Sequence, residues 1–162
     1  MAKKILVVDD EPHFVRLAQI NLERAGYEVV TAIDGKDALK KVEVAKPDLV
    51  VLDMEMPHMD GFEVLQNLRK NPATRELPVI LMTSPHGDVM RDWQSDIDDY
   101  IMKPYNPDQL NSIVKRLLAA QDGDEANREE VNTAIPTPPP DRLAQPVTWW
   151  RTIEEVWRKI GF

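Results

Sequence analysis

Ile5–Leu6–Val7–Val8 is a continuous apolar run without alternation, the pattern of a strand buried on both faces. Further strands are read at Tyr27–Ala32, Asp48–Leu52, Leu77–Met82 and Asp99–Met102. Between them the apolar spacing becomes helical. Pro12 suits the first turn of a helix whose apolar face carries Phe14, Leu17, Ala18, Ile20, Leu22 and Ala25, and Gly26 ends it. After a turn at Asp34–Gly35, a helix over Asp37–Ala45 turns Ala38, Leu39, Val42 and Ala45 inward, and Pro47 breaks it. A helix over Gly61–Arg69 uses Phe62, Val64, Leu65 and Leu68 and stops at Asn71–Pro72. A weaker helix is expected over roughly Gly87–Gln94. Asn106–Pro107 opens the last helix, with Leu110, Ile113, Val114, Leu117 and Leu118 inward.

Strands alternating with helices imply an α/β fold, a five-stranded parallel sheet covered by helices on both faces. Right-handed connections bring the carboxyl ends of all strands to one edge, where open α/β sheets bind ligands. That edge receives Asp9, Asp10 and Glu11 from the first strand, Asp53 from the third, Thr83 and Ser84 from the fourth, and Lys103 from the fifth. Carboxylates held this close repel one another unless positive charge compensates. Lys103 supplies one charge, and a hard divalent cation with oxygen ligands would supply the rest. Mg²⁺, a lysine, a hydroxyl and a free carboxylate suit phosphoryl transfer, which needs positioning and charge neutralisation. An aspartate can itself be the nucleophile. Asp53 is the candidate, because the Asp9–Asp10 pair is better placed to hold the metal.

Composition narrows the function classes. The chain of 162 residues suits one domain plus an extension, with 43% apolar and 30% charged residues. A net charge of −8 argues against nucleic acid as a direct partner. With no cysteine, disulfides and zinc–thiolate sites are excluded. The N-terminus does not read as a signal peptide, and no run is long enough to span a bilayer, so the cytoplasm is the expected location. His13, His58 and His86 read as surface residues, and Met54, Met56 and Met59 as loop packing.

Residues 1–120 resemble the receiver domain of response regulators in two-component signalling, with the flavodoxin-like, doubly wound (βα)5 fold of the chemotaxis regulator. The resemblance rests on Ile5–Glu11, on Asp53–Pro57 with Met59–Asp60–Gly61, on Thr83, and on Tyr100–Tyr105. It implies that Asp53 is the phosphoacceptor. It implies that Asp10 ligates Mg²⁺ with Asp9 in support, and that Asp53 and the Glu55 carbonyl complete the protein ligands. Thr83 would hydrogen-bond the phosphoryl group and Lys103 would pair with it. The Lys103–Pro104 bond would be cis, and Tyr100 would be the switch aromatic that follows Thr83. The chain departs from the family at Ser84, where Ala is usual, and at Asp96–Ile97, where Gly-Ala is frequent. Its interval from Thr83 to Lys103 is also shorter, which points to an irregular helix there.

Residues 121–148 read as a flexible linker rich in Asp, Glu and Pro, with Pro136, Pro138–Pro140 and Pro146. Residues 149–162 then place Trp149, Ile153, Val156, Trp157 and Ile160 on one face of a short amphipathic helix capped by Thr148. A helix this short must bury its face, and tryptophans favour interfaces. The expected surface is the chain's own receiver, a second copy in a homodimer, or a downstream protein. A membrane is the least favoured, since the helix has few basic residues and its linker is acidic. The function implied is a regulator phosphorylated on Asp53 by a sensor histidine kinase or phosphotransfer protein, signalling through protein contacts. One alternative is a receiver-fold scaffold that is not phosphorylated and works through its C-terminal helix. Another is a metal-dependent phosphatase using Asp53, which lacks a cap domain in this sequence.

Overall fold

The computed structural model describes residues 2–84 and 95–123. The helix expected over Gly87–Gln94, the linker beyond residue 123 and the tryptophan-bearing segment lie outside the described residues. Five parallel strands form one sheet: β1 (Lys4–Val8), β2 (Glu28–Ala32), β3 (Leu49–Asp53), β4 (Val79–Thr83) and β5 (Asp99–Met102). Among the described residues the helices are α1 (Pro12–Arg24), α2 (Gly35–Ala45), α3 (Gly61–Lys70) and α4 (Pro107–Gln121). The strand order is β2-β1-β3-β4-β5, so the chain reverses direction across the sheet between β1 and β3.

The continuous apolar runs build two cores, because alternate residues of each strand face opposite sides. Leu6, Val8, Val50, Leu52, Val79 and Leu81 pack with Ala38 and Val42 of α2 and Val64, Leu65 and Leu68 of α3. Ile5, Val7, Leu49, Val51, Ile80, Met82 and Ile101 pack with Ala18 and Leu22 of α1 and Leu110, Val114 and Leu118 of α4. Every residue of β3 and β4 is buried, as central parallel strands require. Met54 and Met56 are buried in the first core and Met59 packs against it, so the methionines are packing residues.

Several boundaries differ from the sequence reading. Gly35 is the first residue of α2 instead of part of a turn, because the Asp34 side chain caps the helix by accepting from Asp37 N at 2.8 Å. Asp53 is the last residue of β3, in register with Met82, instead of the first residue beyond it. In α1 the buried residues are Ala18 and Leu22, one turn apart, and Leu17 is 43% exposed on the neighbouring face. The α3 start is fixed by a capping box, in which Asp60 accepts from Glu63 N at 2.9 Å and Glu63 accepts from Asp60 N at 3.3 Å. His13 and His58 are exposed, as expected, and His86 lies outside the described residues.

Candidate functional site

The reversal between β1 and β3 sets the strand ends carrying Asp9 and Asp53 side by side, the place where doubly wound sheets bind ligands. Asp9 follows β1 directly and is fully buried, and Asp53 is 3% exposed. One carboxylate oxygen from each of Asp9, Asp10 and Asp53 falls within 4.8 Å of the others. Lys103 follows β5, and its backbone N–H donates to Thr83 O at 2.8 Å, which ties the lysine to the end of β4. Its ammonium donates to Asp9 Oδ2 at 2.6 Å and lies 3.2 Å from Asp53 Oδ2. Residues from four strands therefore meet at one edge, as the topology rules require. The Lys103–Pro104 peptide is cis.

The backbone shapes the loops around the carboxylates. Glu11 N donates to Asp9 Oδ1 at 2.9 Å and Glu55 N to Asp53 Oδ1 at 3.3 Å. Gly61 N donates to Met54 O at 3.0 Å and closes the loop after β3 against the strand. A Cβ on Gly61 would stand 2.3 Å from Asp53 O and 2.9 Å from Met54 Cα, so only glycine permits this approach beneath Asp53.

Charge and burial set the protonation of the site. Burial pushes the Asp53 carboxyl up to about 7, the Asp9 carboxylate adds to the rise, and Lys103 only partly offsets both. For Lys103, burial works against the ammonium, but the hydrogen bond to Asp9 and the charges of Asp53 and Asp9 outweigh it and raise its pKa. Burial and the Asp9 charge push the Tyr105 phenol up to about 12. A divalent cation fits this site on the chemistry of its donors. The carboxylates are hard oxygen ligands, and a cation would offset both the burial of Asp53 and the Asp9 charge that adds to its rise.

Thr83 is buried at the end of β4, and its hydroxyl donates to Ser84 O at 3.2 Å. Tyr100 is 42% exposed on β5. Sequence reasoning missed three features of this edge. Ser84 donates its hydroxyl to Glu55 Oε1 at 2.6 Å and so joins the loops after β4 and β3. The ring of Phe14, read as a core residue, lies 4.3 Å from Lys103 Nζ. Tyr105 places its hydroxyl in a buried position without a hydrogen-bond partner among the described residues. Ser84 and Tyr105 were already conspicuous in the sequence, but their partners are remote in it. Nothing in the helical pattern separates Phe14 from its apolar neighbours.

A parallel sheet in the order β2-β1-β3-β4-β5, with acids at its reversal point and a lysine across from them, is the flavodoxin-like architecture of receiver domains. The chain belongs to the response regulator receiver domain family, which its residues 5–115 match. It is 47% identical over 120 residues to the alkaline phosphatase synthesis transcriptional regulatory protein PhoP of Bacillus subtilis, covering 73% of this chain and 49% of that one. It is 37% identical over 121 residues to the DNA-binding dual master transcriptional regulator RpaA of Synechocystis, covering 74% and 50%. The chain thus spans about half the length of the curated relatives it matches. The solved CheY-like receiver domain protein of Methanospirillum hungatei superposes with a TM-score of 0.70 at 30% identity, covering 76% of this chain and 99% of that one.

Proposed function

We propose that Asp53 accepts a phosphoryl group from the phosphohistidine of a sensor kinase or phosphotransfer protein. A bond forms between an Asp53 carboxylate oxygen and phosphorus as the bond to the donor nitrogen breaks, and its electron pair leaves with that nitrogen. The observation that carries this reading is the convergence of Asp9, Asp10 and Asp53 within 4.8 Å with Lys103 beside two of them. Asp10, Asp9, Asp53 and the Glu55 backbone carbonyl would hold Mg²⁺, which when bound neutralises charge on the phosphoryl oxygens. Asp53 must be ionised to attack, and positive charge beside it favours that form. Lys103 offsets the negative charge arriving on Asp53. The Thr83 hydroxyl, which donates weakly to the carbonyl of the next residue, is free to turn to the new acceptor. Tyr100 would follow it as the switch aromatic.

Phosphorylation replaces the single charge of the Asp53 carboxylate with a phosphoryl group carrying about −2 at neutral pH, which biases a two-state surface. In this reading the protein is a cytoplasmic regulator and not a turnover enzyme, made of a receiver over residues 1–120, a linker over 121–148 and a helix over 149–162. Its output passes through protein contacts, by way of Trp149, Ile153, Val156, Trp157 and Ile160, and not through DNA. The net charge of −8 supports this. Among the described residues, no helix is long and apolar enough to cross a membrane.

The test is intact mass after adding Mg²⁺ and acetyl phosphate, with Asp53→Asn and a chelator as controls. One phosphoryl group gained by the native chain and by neither control is expected. No gain in the native chain overturns phosphorylation and leaves the scaffold reading.

A further inference from the structure

The Lys103 ammonium has three N–H groups and is only 11% exposed along its side chain. Asp9 and Asp53 occupy two sides of it. The third neighbour is the ring of Phe14, 4.3 Å from Nζ to the centroid. Phe14 comes from the first turn of α1, a helix that packs in the same core as Ile101 of β5. The buried residues of α1 are Ala18 and Leu22, and Phe14 packs into neither hydrophobic core. The His13 ring lies against it, with centroids 4.3 Å apart at 39°. A half-buried aromatic that leaves the core and covers a cation is placed for that cation.

We propose that Phe14 is a positioning residue for Lys103, holding its ammonium over the acid cluster by a cation–π contact. The proposal rests on the phosphorylation reading. A ring face attracts a cation through its quadrupole without carrying a charge. A third carboxylate in the same place would commit the lysine's charge. Water would let the side chain move. The ring does neither, so Lys103 keeps its charge for the group that arrives on Asp53. Without the ring, the shorter contact to Asp9, 2.6 Å against 3.2 Å, draws the ammonium away from Asp53. Leucine would fill the space but offers no such face. Tyrosine keeps it.

The experiment uses the full chain as Phe14→Leu and Phe14→Tyr, with two readouts. The first is the rate of phosphoryl gain from acetyl phosphate with Mg²⁺ and the lifetime of the product, by intact mass. A desolvated cation–π contact predicts that Phe14→Leu slows uptake by about fivefold and that Phe14→Tyr stays within about twofold of native. The second is the NMR spectrum of the lysine side chains without phosphodonor. A ring face over Lys103 shifts its ε-methylene and ammonium protons upfield, and Phe14→Leu loses that shift. Should Phe14→Leu fail to fold, Phe14→Met takes its place. Native uptake in the Leu variant, or no upfield lysine in the native chain, overturns the proposal. If the native chain takes up no phosphoryl group, the phosphorylation reading fails separately. The lysine spectrum then decides alone whether Phe14 holds Lys103.

Discussion

Lys103 Nζ stands 2.6 Å from Asp9 Oδ2 and so pairs more closely with the acid after β1 than with Asp53, which is 3.2 Å away. The lysine holds two nearly inaccessible carboxylates together and is itself held by both. Its role in the resting protein is therefore structural.

Removing that charge leaves two buried carboxylates facing each other. Lys103→Met is expected to lower stability by about 3 kcal/mol near neutral pH, the usual cost of breaking a buried ion pair. Urea unfolding at fixed ionic strength measures it. A loss below about 1 kcal/mol, the range of surface pairs, would mean that the pair is open to water.

The pH dependence follows from Asp53. In the unfolded chain its carboxyl titrates near the ordinary aspartate value of 3.8, and in the folded protein without metal it is pushed up to about 7. Between these values the folded state binds more protons than the unfolded one. Stability contributed by this group therefore falls as pH rises through the window and levels off above it. Asp53→Asn removes the effect. Its advantage over the native chain should widen from pH 5 to pH 8 in metal-free buffer, and Mg²⁺ should narrow it. A gap in unfolding midpoints that stays constant with pH would contradict the raised carboxyl.

Gly61 tests the shape of the loop beneath Asp53. An added Cβ meets backbone atoms of Asp53 and Met54, which cannot move aside as a flexible side-chain end can. Gly61→Ala is expected to cost about 2 kcal/mol, as overpacking does, and to slow phosphoryl uptake by displacing Asp53. Unfolding and intact-mass time courses read the two effects. Native behaviour in both would show that the loop relaxes without strain.

Ser84→Ala breaks the hydrogen bond to Glu55. Ser84 is half-buried and Glu55 is exposed, so the expected loss is under about 1 kcal/mol. Asp53 should still be modified by acetyl phosphate, since the hydroxyl contacts none of the acids in the cluster. A severe loss of uptake in this variant, with folding intact, would place Ser84 in the reaction itself.

The legible parts of the site were those written in local pattern. Buried parallel strands read as apolar runs, and their ends could be placed to within a residue or two, so Asp9, Asp53, Thr83 and Lys103 stood out as strand-end residues. The Asp34 cap was less legible, because Asp-Gly reads equally as a turn until Asp37 N is seen donating to it. Leu17 was misplaced by a small rotation of α1, since one position round a helix moves a side chain from core to surface.

Sequence by itself determined the alternation of buried strands and helices, hence the shared edge and the chemical types gathered there. Tertiary structure decided who touches whom. The β2-β1-β3-β4-β5 order put Asp9 beside Asp53, brought Lys103 nearer to Asp9, joined Ser84 to Glu55 and turned Phe14 to the ammonium. The physical reason is range. Propensity and hydrophobic period act over a few residues, whereas these contacts link residues 29 to 94 positions apart.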